Sequence, residues 1–277
     1  MNHFQSYFHK FFVRNSKLTR HSNLVSFYEK NIDRNRTRVL IACMPKSGST
    51  FLTEMLRHYL QFPAQDIAVG YGRTEQEVNW LKLDSVIDSD ALFTQQHVRA
   101  NELTLKAIRL FNIRTIVLIR NLFDVVISFR DHLIKESTHF PMAYVDNSFA
   151  QWKDRQQYEF VIDLMIPWYL NFLGTWIEAG TQKDIPLLWL NYADWIGDPE
   201  ATLKQIDTFC GLSHSTDAAV QAVARARQGG IRLNVGRTGR GRELLDSDLQ
   251  AKVNHLLSYY PAFDPYKAKL IGTGNSA

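Results

Sequence analysis

Residues 38–60 read RVLIACMPKSGSTFLTEMLRHYL, and the order of that stretch decides the fold. The apolar run 38–44, with β-branched residues and a stop at Pro45, reads as a buried strand. From Ser49 to Leu60, apolar residues fall at 51, 52, 55, 56, 59 and 60, the stripe of a helix. Pro-Lys-Ser-Gly-Ser-Thr lies between them. Small residues let the backbone turn tightly there, amide N–H groups face the loop centre, and the helix N-terminus adds positive potential. The stretch Pro45, Lys46, Ser47, Gly48, Ser49, Thr50 therefore reads as an anion cradle, with Lys46 as a point charge and the three hydroxyls as extra donors. The plainer alternative is a capped helix start, with Ser47 or Ser49 as N-cap.

Strands and helices alternate downstream. ALFTQQ (91–96) is a second, weaker strand and ELTLKAIRLF (102–111) a helix. RTIVLIR (114–120) is the clearest strand of the chain, followed by a helix over 122–134. A long helix falls within 150–180, LLWL (187–190) is a further strand, and Asp198-Pro199 opens a helix that runs to Cys210. Short buried runs alternating with helices predict a parallel sheet flanked by helices on both faces. No internal repeat or low-complexity linker divides the chain. The expectation is a single α/β domain over 38–277, preceded by an N-terminal arm, 1–37, in which Phe, Tyr and basic residues mix without a clean period.

Composition narrows the function classes. With 45% apolar and 22% charged residues, the 277-residue chain can build a sizeable core, which excludes disorder, collagen-like repeats and coiled coil. No apolar run approaches the roughly 18 residues of a membrane span, and no h-region or cleavage site marks a secretory signal. The chain reads as soluble and cytoplasmic. Two cysteines, Cys43 and Cys210, form neither a disulfide framework nor a metal motif. The net charge is +4, but residues 1–38 carry +6 and residues 225–242, with six arginines and no acid, another +6. A nucleic-acid binder spreads such charge over a continuous face. Here one cluster sits in a Gly-rich stretch suited to a compact anion, so no nucleic-acid partner is expected.

The loop is not a Walker A motif, in which the Lys follows the last Gly; here Lys46 precedes Gly48. Mg²⁺-dependent P-loop enzymes also place an Asp at the end of a neighbouring strand. The strand IVLIR ends in Arg120, a cation that would repel Mg²⁺ and bind a second phosphate instead. The expected ligand is thus phosphorylated at two separated positions, and no metal is needed.

The two motifs together resemble the sulfotransferase family that uses 3′-phosphoadenosine 5′-phosphosulfate (PAPS) and releases adenosine 3′,5′-bisphosphate (PAP). PKSGSTF (45–51) is similar to that family's 5′-phosphosulfate loop, with Phe51 in place of a Trp that stacks on adenine. VLIRNLFDVVIS (117–128) is similar to its 3′-phosphate motif, which puts Arg120 and Ser128 on the contact positions, with Leu122 replacing Pro. LNYADWIGDPEATLKQIDTFCGL (190–212) resembles the segment that places a tyrosine, here Tyr192, near the adenine. RLNVGRTGRGRELL (232–245) resembles the late loop that closes over the 3′-phosphate, implying contacts from Asn234, Gly236, Arg237 and Gly239.

Transfer of a sulfuryl group to an alcohol needs a base for the hydroxyl proton and positive charge on the departing phosphate oxygen. Lys46 suits the second task. For the base, His97 follows the second strand, on the carboxyl edge where parallel-sheet sites form. The resemblance places a catalytic His there after Lys-Thr, where this chain has Gln95 and Gln96. His132 and His139 are the next candidates. Residues 61–93 carry a net −4, which suits a neutral or cationic small-molecule acceptor, a guanidinium alkaloid for example, unless they form a solvated loop. The competing readings are a P-loop nucleotide kinase and a non-catalytic binder of adenosine bisphosphate. A monomer or a homodimer is expected.

Overall fold

A computed structural model describes residues 30, 32–33, 35–62, 64–68, 76–87, 91–138, 142–183, 185–229 and 238–272. The N-terminal arm up to residue 29 lies outside them. In chain order the elements are β1 (Thr37–Cys43), α1 (Ser49–Leu60), α2 (Trp80–Ile87), β2 (Ala91–Gln96), α3 (Glu102–Phe111), β3 (Arg114–Ile119) and α4 (Leu122–Lys135). They continue with α5 (Asp154–Leu164), α6 (Ile166–Gln182), β4 (Leu187–Asn191), α7 (Tyr192–Gly197), α8 (Pro199–Cys210) and α9 (Thr216–Gln228). The last are α10 (Arg240–Leu244), α11 (Ser247–Ser258) and α12 (Lys267–Ile271).

The four strands form one parallel sheet in the order β2-β1-β3-β4, in register at Val39↔Phe93, Ile41↔Ile116 and Leu118↔Leu190. Period-2 alternation sends Leu40, Ala42, Val117 and Ile119 to one face, where they pack with residues of α3, α4 and α6. Val39, Ile41, Cys43, Ile116 and Leu118 go to the other, against α1, α8 and α9. Both faces are covered, so β1 and β3 are apolar almost throughout, as the sequence predicts. Because β2 lies on one side of β1 and β3 on the other, the chain reverses direction of travel between β1 and β3. The crevice outside the carboxyl ends of those two strands is where open α/β sheets bind ligands. Met44–Ser49 and Arg120 occupy that crevice edge.

Three local departures from the sequence expectation have simple causes. Residues 150–180 form two helices, broken at Met165, because Pro167 removes a donor near the start of the second. The stretch Asp154–Gln182 is long and apolar enough by composition to cross a membrane, contrary to expectation, yet 61% of its apolar window is buried inside the fold. Buried aromatics such as Tyr169, Phe172 and Trp176 make it a core helix pair. Tyr192 opens a helix rather than ending β4, and β3 stops at Ile119, one residue short of the apolar run's reading, so Arg120 stands just outside the strand. Asn121 then caps α4, accepting from the N–H groups of Phe123 and Asp124.

Candidate active site

The turn after β1 is built on two left-handed residues, Lys46 (φ 63°) and Gly48 (φ 82°). Gly48 is dictated twice over: a Cβ there would lie 2.6 Å from Tyr192 Cε2 and 2.7 Å from Trp195 Cζ2. It is the N-cap of α1, makes no side-chain cap, and no acid stands in the first turn, so the positive helix end faces the turn uncompensated. Ser47 departs from its expected role as a donor to an anion. Its hydroxyl donates to the Met44 carbonyl oxygen at 2.6 Å, and its single proton is spent shaping the turn. The Pro45 carbonyl oxygen accepts from the buried Tyr169 hydroxyl at 2.8 Å. Ser49 is buried and Thr50 is exposed.

Lys46 reaches toward α4, where Nζ lies 3.3 Å from His132 Nδ1 and 3.8 Å from a Glu136 carboxylate oxygen. His132 Nδ1 is in turn 2.8 Å from the other oxygen of Glu136. Burial lowers the Lys46 pKa, Glu136 opposes that, and the Arg120 charge adds to the lowering. Burial and the Lys46 charge likewise depress His132.

Arg120 is 7% exposed. Nη1 donates to the Lys46 carbonyl oxygen at 2.6 Å, and the guanidinium carbon sits 4.3 Å from the centroid of the Tyr192 ring. Nε is buried without a hydrogen-bond partner, as is Trp195 Nε1 beside the same turn. Burial lowers the Arg120 pKa, against the favourable field of Tyr192 and Asp124. The two anion motifs separated in sequence thus meet at one carbonyl.

Phe51 departs from the expected adenine-stacking position. Only 3% exposed, it stacks on Trp195, with ring centroids 6.2 Å apart and planes at 26°, inside the core. Tyr192 is also buried, its edge against Trp195 and one face under Arg120. Ser128 lies on α4 and is buried.

Among the late-loop candidates, Asn234, Gly236 and Arg237 lie outside the described residues, as does His139. Gly239 is described, and its anchor was not legible as a contact. The Asp124 carboxylate accepts the N–H of Gly239 at 2.9 Å and of Gly241 at 2.8 Å. Arg240 donates to Asp131 at 3.1 Å. A Cβ at Gly241 would fall 2.2 Å from the Phe123 carbonyl carbon, so this glycine lets the loop dock on α4. Its place in a Gly-rich run beside two arginines was the one available signal.

His97 is half-buried just beyond β2, its N–H donating to Gln76 Oε1 at 2.6 Å. Nδ1 lies 2.9 Å from the Cys43 carbonyl oxygen and 3.3 Å from Cys43 Sγ. Burial disfavours the imidazolium, but the Cys43 charge and hydrogen bonds more than offset it, and the net direction is upward. Of the acids in 61–93, Asp66 is engaged by Lys82 at 2.8 Å and by Gln96 at 3.2 Å; Glu75, Asp88 and Asp90 lie outside the described residues.

This geometry gathers cations at a parallel-sheet switch point, beside a histidine on the neighbouring strand end. The sulfotransferase domain family matches residues 36–229. The chain belongs to the sulfotransferase family. In this sulfotransferase the matched span takes in Lys46, His97, Arg120, Ser128 and Tyr192 and ends before the late loop. No curated protein matches the sequence significantly. The sulfotransferase is similar in fold to mouse sulfotransferase SULT7A1 complexed with PAP, at a TM-score of 0.61 and 13% identity over 90% of this chain and 91% of that one. It is also similar to retinol dehydratase in complex with androsterone and inactive cofactor PAP, at a TM-score of 0.52 and 13% identity over 87% and 85%. Identities this low bear on the fold alone.

Proposed function

We propose that this sulfotransferase moves a sulfuryl group from PAPS to a hydroxyl of a small-molecule acceptor, less readily to an amine, by in-line transfer without a metal. The observation that supports this most directly is the turn itself: Cys43 holds His97 through its carbonyl oxygen, and Lys46 holds Arg120 through its own. Base, leaving-group cation and second phosphate cation are thereby tied to one short run of chain.

The residues fit a doubly phosphorylated nucleotide. An uncapped helix N-terminus behind a glycine turn suits one anion, and the buried, unpartnered Nε of Arg120 suits another. PAPS, when bound, supplies the sulfuryl group: the acceptor oxygen bonds to sulfur as the S–O bond to the 5′-phosphate breaks, leaving PAP. His97 takes the acceptor's hydroxyl proton on Nε2. Lys46, with the amides of Gly48, Ser49 and Thr50, holds the departing phosphate oxygen. Arg120 and Ser128 grip the 3′-phosphate, joined by the loop bearing Asn234, Gly236, Arg237 and Gly239. Tyr192 backs the guanidinium of Arg120, and Phe51 stiffens the wall through Trp195. The acidic balance of 61–93 favours a neutral or cationic acceptor, with Asp66 already spent on Lys82.

The test is a mass-spectrometric screen of neutral, cationic and acidic alcohols for the gain of one SO₃ unit. Gain with PAPS but not with ATP and Mg²⁺ is expected, and neutral or cationic acceptors should outrank acidic ones. Group transfer from ATP instead would point to a kinase. PAP binding without turnover of any acceptor would point to a non-catalytic binder.

A further inference from the structure

We propose that the Cys43 side chain, itself pinned by Gln95, is a positioning residue that fixes the ring orientation and tautomer of His97; this rests on the reading of His97 as the base. The hydrogen-bond inventory is self-consistent. A thiol has one proton, and Cys43 Sγ lies 3.6 Å from the Gln96 carbonyl oxygen, which accepts it. The sulfur lone pairs then face two donors, Gln95 Nε2 at 3.1 Å and His97 Nδ1 at 3.3 Å. Because the same Nδ1 lies 2.9 Å from the Cys43 carbonyl oxygen, it faces two acceptors and carries the ring proton. Nε2 is left with a free lone pair, the form a base requires.

One carbonyl contact alone would let the imidazole pivot about its Cβ–Cγ bond. A second acceptor on the same residue removes that freedom, while Gln76 secures the His97 backbone. Cys43 is fully buried at the end of β1, so the sulfur cannot drift. Gln95 stands where the resemblance implies a lysine, and its amide has been turned to holding the sulfur rather than a phosphate. Among the described groups packed on His97, Cys43 from β1 is the titratable one; Gln95 and Gln96 from β2, and Gln76, are neutral amides. The upward pKa of His97 agrees with this arrangement.

The test uses the full chain with ¹⁵N-labelled histidine. Heteronuclear NMR reads the His97 tautomer and titration directly, and kcat/KM for sulfuryl transfer is followed against pH in parallel. In the parent protein Nδ1 should carry the proton. Cys43→Ala should give mixed tautomers, a lower His97 titration midpoint and a loss of about two- to tenfold in kcat/KM, the worth of one hydrogen bond. Cys43→Ser, which restores an acceptor, should recover most of each. Gln95→Leu, on the partly exposed strand edge, should reproduce the Ala effect in part and serves if core substitutions unfold the chain. An unchanged tautomer and titration in Cys43→Ala, or a Ser variant no better than Ala, overturns the proposal. If His97→Ala keeps full transfer activity, the reading of His97 as base fails instead, and the NMR result still decides whether Cys43 orients the ring.

Discussion

Arg120 donates through Nη1 to the carbonyl oxygen of Lys46 at 2.6 Å, joining residues 74 apart in the chain, while its guanidinium lies over the Tyr192 ring. A backbone oxygen at the loop's left-handed corner thus aims the cation that the second motif supplies. Arg120→Ala should weaken PAP binding by about 10- to 150-fold, from charge-assisted bonds of roughly 1.5–3 kcal/mol. Arg120→Lys should recover little of it, since an ammonium cannot bond the carbonyl, cover the ring and meet a phosphate in one planar fork. Calorimetric titration with PAP checks both.

Glu136 competes for the cation that the leaving phosphate needs, with its carboxylate 3.8 Å from Lys46 Nζ. The glutamate is substantially exposed, so the pair is solvent-screened and worth little. Glu136→Gln should tighten PAP binding by about two- to fivefold, consistent with such a pair. Weaker PAP binding in that variant would mean that Glu136 orients Lys46 rather than restraining it.

Gly48→Ala should be among the most damaging single-methyl additions in the chain. The left-handed backbone costs about 1–2 kcal/mol for a residue with a Cβ. Overpacking against Tyr192 and Trp195 adds about 1–3 kcal/mol. Thermal unfolding should show the loss of stability, and PAP affinity should fall with it.

Asp124 anchors the late loop through the N–H groups of Gly239 and Gly241. Asp124→Ala, or Gly241→Ala with its clash against the Phe123 backbone, should weaken PAP binding while the far-ultraviolet circular dichroism stays that of the parent. Unchanged PAP affinity in both variants would remove the late loop from the phosphate site.

A base works only when neutral, so the sign of the His97 shift fixes the pH dependence. Its pKa is raised above the ordinary 6.5: burial opposes the imidazolium, and Cys43 outweighs burial. The acid limb of kcat/KM should therefore fall as pH drops through a midpoint above 6.5. A midpoint below 6.5 would favour His132, whose pKa is held down by burial and by the Lys46 charge.

Much of this was legible in the chain before any coordinates. The run 38–60 determined a strand, a tight turn and a helix because periodicity and turn chemistry are local properties, written within a few residues of where they act. The same holds for the apolar runs that became β2, β3 and β4, and for Arg120 at the end of the clearest strand. Tertiary structure alone decided which groups meet. It turned Phe51 into the core against Trp195, spent the Ser47 proton on Met44, set Glu136 beside Lys46 and brought Asp124 to a loop 115 residues away. Those outcomes depend on how helices pack across a sheet and on which buried donor finds an acceptor. Sequence spacing carries no record of either, because contacts between distant segments are set only once the chain has closed on itself.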